Sequence, residues 1–221
     1  FFILIICSVF HSNAQVNAVS FGKNRVQYKK FNWQYYQTDH FNVYFYEHGQ
    51  ELAKFVYQLA EKDLTGIEEE AEYSLQRRAN IIVYNNYVDF RQSNIGLNTD
   101  VLNAGSTTHL VNNKMLVFFD GDHSNLRRQV RTGIADIITK NLLFGDDIGE
   151  IAGNKTLLDL PKWLTNGYID YLGEHWNTKL DDELKSEILS GNYSKFSSLA
   201  FKLPVLAGHA FWYYFEEKYG A

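Results

Sequence analysis

Seven histidines and a single cysteine limit the metal and nucleophile chemistry open to this 221-residue chain. His109, His123, His175 and His209 are spread over the second half, and no two histidines are spaced His-x-x-x-His, the pattern that puts two imidazoles on one helix face. They read as exposed or hydrogen-bonded side chains. Asp120, Asp122, Asp146 and Asp147 offer the oxygen atoms that Ca²⁺ prefers, but without EF-hand spacing they read as solvated loop carboxylates. No Gly-x-Ser-x-Gly elbow supports a serine nucleophile, and no glycine-rich loop is present to cradle phosphate. The positions with chemical meaning must therefore come from larger patterns, which depend on the elements that hold them.

The opening run Phe-Phe-Ile-Leu-Ile-Ile-Cys-Ser-Val-Phe10, followed by Ser12 and Ala14, has the apolar stretch and small-residue cleavage pattern of a secretory signal. Residues 1–14 are expected to be that segment and 15–221 a single domain, exported to the periplasm or cell surface and forming the N-terminal part of a longer protein. Ile6 is not the small residue that a lipoprotein signal places before its cysteine, so Cys7 does not read as a lipid anchor. With Cys7 inside the signal, the mature chain has no thiol for disulfides, zinc or catalysis. No later apolar stretch reaches transmembrane length. A net charge of −5 with scattered basic residues gives no electrostatic case for nucleic acid.

Phe41-Asn-Val-Tyr-Phe-Tyr46 and Ala79-Asn-Ile-Ile-Val-Tyr84 are rich in the aromatic and β-branched residues of strands, and residues 26–36 read as an earlier strand region. Between them Leu52, Phe55, Val56, Leu59, Ala60 and Leu64 recur at three- and four-residue spacing, predicting a helix over 49–77. A short helix is expected over 87–92. Residues 106–111 and 114–119 flank Asn112-Asn113 and predict a hairpin. Asp122 or Ser124 caps a helix whose apolar positions run from Leu126 to Leu142, and further helices are expected over 161–172, 180–189 and 203–219. The fold class is α+β, with a small, mostly antiparallel N-terminal sheet followed by a helical half.

In this frame Phe31-Asn-Trp33, Thr38-Asp-His-Phe-Asn-Val-Tyr-Phe-Tyr46, the strand Ile81–Tyr84 with Asp89-Phe90, and Pro161-Lys-Trp-Leu-Thr-Asn-Gly-Tyr-Ile-Asp-Tyr-Leu172 follow one another in a distinctive order. With the closing stretch Gly208–Gly220, they resemble the peptidase MA-like (gluzincin-type) domains of exported bacterial proteins over roughly residues 20–220. The resemblance implies a helix carrying His-Glu-x-x-His and a following helix supplying Glu before Gly. Two histidines and that glutamate would hold Zn²⁺, and the motif glutamate would act as general base. Carried across by position, the first histidine becomes Thr132, the base Gly133, the second histidine Asp136 and the third ligand Asn166. Thr and Asn ligate zinc poorly, and Gly133 has no side chain to take a proton. Zinc is thus expected to be lost and no cofactor to take its place.

Asn166 is within plausible reach of Thr132 or Asp136 for a metal-free polar cluster, and Asp136, Asn166, Tyr168, Asp170 and His109 are the expected cleft residues. Such a domain reads as a catalytically inactive binding or scaffold module with a protein or peptide partner in the bacterial envelope, the strand at Met115–Phe119 offering an edge for strand addition. The alternatives are an active hydrolase with a non-standard site, and a structural spacer ahead of a C-terminal β-propeller, as this family often has.

Overall fold

In the computed structural model, which describes residues 28–92, 108–110, 113–145 and 160–220, the alternating residues of β2 (Phe41–Phe45) set the plan of the sheet. Phe41, Val43 and Phe45 point to one face and are buried there. β1 (Gln34–Gln37) folds back on β2 as an antiparallel hairpin and is exposed along its whole length. The chain then enters α1 (Gln50–Ala71), whose inward stripe Ala53, Val56, Ala60, Leu64 and Ile67 lands on that same face. It returns as β3 (Ala79–Tyr84), with Ala79, Ile81 and Val83 inward.

A 22-residue helix carries the chain back across the sheet, so β3 runs parallel to β2. The short α2 (Tyr87–Arg91) follows, and then β4 (Thr108–Leu110) and β5 (Lys114–Phe118). β4 and β5 form the expected antiparallel hairpin, and Asn113 adopts the positive φ its turn requires.

Two sequence expectations need correction. The sheet order is β1-β2-β3-β5-β4, and of its four pairings two are parallel, so the sheet is mixed rather than mostly antiparallel. Helical crossovers impose this, and apolar periodicity does not report strand direction. β5 is also no edge strand: it lies between β3 and β4, with Met115, Leu116 and Val117 fully buried. The edges among the described residues are β1 and β4.

α3 (His123–Phe144) packs beside α1 on the inner face, where Val130, Ile134, Ile137 and Ile138 meet Ile81, Val83, Met115 and Val117. Each such fully buried aliphatic or aromatic side chain contributes about 1.5–3 kcal/mol. The outer face carries a second cluster of Tyr46, Tyr84, Phe90, Leu116 and Phe118 under Phe31.

The helical half begins with α4 (Lys162–Gly173), which lies on α3. α5 (Thr178–Leu189) has no buried residue, and α6 (Phe196–Lys202) was not anticipated. α7 (Pro204–Tyr219) crosses α4 where Gly167 faces Gly208. A Cβ on Gly208 would stand 1.8 Å from the Trp163 carbonyl oxygen, so backbone meets backbone at this point. No helix among the described residues is long and apolar enough to cross a membrane.

Candidate functional site

α3 is fixed at its start by Asp122, whose side chain accepts from the Ser124 N–H at 2.8 Å. One turn on, the buried Gln129 amide accepts from the Phe118 N–H and donates to the Phe118 carbonyl, both at 3.0 Å, tying the helix to the end of β5. Arg127 grips the buried Asp63 carboxylate of α1 through Nε and Nη2, and Arg131 approaches the same carboxylate at 3.6 Å. Arg131 also donates to the carbonyls of Gly173 and Leu172, satisfying the end of α4. α1, α3 and α4 are thereby locked around the positions of interest.

Thr132, Asp136 and Thr139 follow one another at four- and three-residue spacing on α3, and all three are buried. Among the described residues the Thr132 and Thr139 hydroxyl oxygens have no hydrogen-bond partner, an unusual state for buried polar atoms. Thr132 is covered by α4: a Cβ on Gly173 would lie 2.4 Å from its Oγ1. Gly133 turns to the sheet, where a Cβ would lie 2.2 Å from the Met115 Sδ. The space beside Gly133 is therefore filled by a buried thioether from β5. Asp136 is nearly inaccessible and forms an i,i+4 ion pair with Lys140, whose Nζ is 2.7 Å from Oδ1 and 2.9 Å from Oδ2.

Asn166 is half-buried on α4 and makes no hydrogen bond to Thr132 or Asp136, so the expected polar cluster is not formed. Tyr168 packs its ring on Trp212 at 4.7 Å, and burial together with the charges of Glu70 and Glu72 pushes its hydroxyl up from the usual tyrosine range. His109 pairs with Met115 in the β4–β5 register, and β4 itself contacts α3. Thr132, Gly133, Asp136 and Asn166 do not fit a zinc ion: Asp136 alone offers a good ligand atom, and it is paired with Lys140. Among the described residues no group of three or more His, Cys, Asp or Glu is placed to hold a metal.

The structure joins Asp170 to a residue far from it in the chain. His209 of α7, fully buried, places Nδ1 2.9 Å from Asp170 Oδ2. A carboxylate only accepts, so Nδ1 carries the hydrogen, while Nε2 is buried without a partner. The ring sits edge-on to Tyr171 and Trp176, and Trp176 stacks on Tyr213. Nearby, His175 lies 3.4 Å from Glu70, and the Tyr171 hydroxyl donates to Glu216. Burial, aided by the Glu216 hydrogen bond, holds Tyr171 protonated well above the ordinary range, and burial likewise raises Glu70. The 39-residue separation of Asp170 and His209 leaves no local signal; only the α4–α7 crossing brings them together.

Comparison with known proteins finds no matching family model, no matching curated protein and no matching solved structure.

Proposed function

We propose that this is a catalytically inactive peptidase-like domain of the cell envelope, acting as a binding or scaffold module. The observation that carries the reading is Gly133, which resemblance puts at the general-base position and which lies against the buried Met115. A glycine in a helix interior costs about 1 kcal/mol relative to alanine, so its presence needs a local reason. Close approach of β5 supplies one. Thr132 is closed off by Gly173 and Asp136 is neutralised by Lys140, which adds support. The apolar opening run and the small residues Ser12 and Ala14 motivate the envelope location.

The test is hydrolysis of a fluorogenic peptide library by the purified protein. No turnover is expected. Reproducible turnover that disappears in Asp136→Ala or Asn166→Ala would overturn the proposal and favour the hydrolase alternative.

A further inference from the structure

We infer that the cavity between α4, α5 and the α6–α7 junction binds an organic cation, an ammonium or guanidinium group carried on a short apolar chain. The cavity has a volume of about 300 Å³ and is lined by Asp170, Glu183 and Lys202 with Leu180, Leu203 and Leu206 among its apolar wall residues. Asp170 is the informative member. It is only 7% exposed, and its Oδ2 is occupied by His209 from the fully buried side. Its other oxygen has no hydrogen-bond partner among the described residues, and Asp170 is itself one of the residues that line the cavity.

A carboxylate this far removed from water has few donors of its own, and a ligand bringing N–H donors and positive charge supplies charge-assisted hydrogen bonds. Lys202 does not meet that need: it is exposed, lies over the Phe201 ring and forms no ion pair with Asp170 or Glu183 among the described residues. The wall sets the rest of the ligand. Leucine, proline and valine side chains offer contact to methylene groups and no hydrogen bonds, while Glu183 adds a second carboxylate for the same cationic head. His209 acts as a positioning residue, holding the Asp170 carboxylate through Oδ2 at the cavity wall. The inference is independent of the peptidase-like reading, since neither Gly133 nor Asn166 contributes to the cavity.

The experiment is a titration of the intact chain with n-butylammonium and n-butylguanidinium, with the neutral n-pentanol as control, followed by NMR. Saturable shifts are expected for at least one cation, with affinity at least tenfold above that for n-pentanol. Asp170→Asn is expected to lose tenfold or more of that affinity. Because this change also touches His209, Leu180→Trp provides a second variant that fills the cavity while leaving the Asp170–His209 pair intact, and it is expected to abolish binding. Equal binding of n-pentanol, no saturable binding of either cation, or cation binding that survives Leu180→Trp would overturn the assignment.

Discussion

Asp89 shows how a single buried carboxylate organises the outer face of the sheet. It accepts from the Tyr46 hydroxyl at 2.7 Å, from Lys29 at 3.2 Å and from Asn86 at 3.2 Å. Burial alone would raise its pKa, but the bonds from Tyr46 and Lys29 outweigh burial and hold it below the ordinary 3.8. A depressed folded-state value means that the stabilisation is present above the unfolded pKa and is lost as pH falls through the folded one. Asp89→Asn is thus expected to destabilise the protein by about 1–3 kcal/mol near neutrality. In thermal melts the gap to the wild type should narrow as pH drops below about 4; a gap that stays constant to about pH 2 would contradict this assignment. Little of this network was legible in the sequence. Asp89-Phe90 stood out only as part of a family pattern, while Lys29 and Tyr46 are 60 and 43 residues distant and are joined to it by the sheet. Thr132, Gly133, Asp136 and Asn166 were identifiable as positions, but what fills the space around them was not, because Met115 and Gly173 come from other elements.

At the scale of elements, periodicity located α3, α7 and the start of α1 to within a residue or two, since each must bury one stripe, but it ran α1 on to 77 where the helix ends at Ala71. It missed α6, a seven-residue helix containing Ser197 and Ser198 whose apolar positions are too few to set a period. It also could not give strand direction or order, which depend on where each crossover returns the chain. The glycines separate packing from propensity. Gly66 in α1 has nothing within 4 Å of a would-be Cβ, so Gly66→Ala is expected to stabilise by about 0.5–1 kcal/mol. Gly208→Ala is expected to do the opposite, costing about 1–3 kcal/mol or more, because its Cβ would meet the Trp163 carbonyl and the Gly167 backbone, neither of which can swing aside. Chemical denaturation of the two variants checks both signs. If Gly208→Ala were neutral, the close α4–α7 crossing would be wrong, and with it the pairing of Asp170 and His209.

For the whole molecule, the chain builds two layers around one principal core and then adds a helical half held by the Asp63–Arg127–Arg131 lock and the α4–α7 crossing. Export is expected to leave a mature chain beginning at Gln15, which N-terminal sequencing of the exported protein checks; a different start or retention in the cytoplasm would contradict it. The central claim, that peptidase-like architecture persists here without a zinc site, is tested most directly by zinc content. Catalytic zinc needs three protein ligands, and the four aligned positions supply one carboxylate, already paired with Lys140. Restoring Thr132→His, Gly133→Glu, Asp136→His and Asn166→Glu alone would drive the new Glu side chain into Met115, so Met115→Ala belongs in the same variant. After dialysis against metal-free buffer, the wild type is expected to hold no zinc and the folded five-substitution variant about one equivalent per chain. Stoichiometric zinc in the wild type, or a well-folded variant that binds none, would contradict the account.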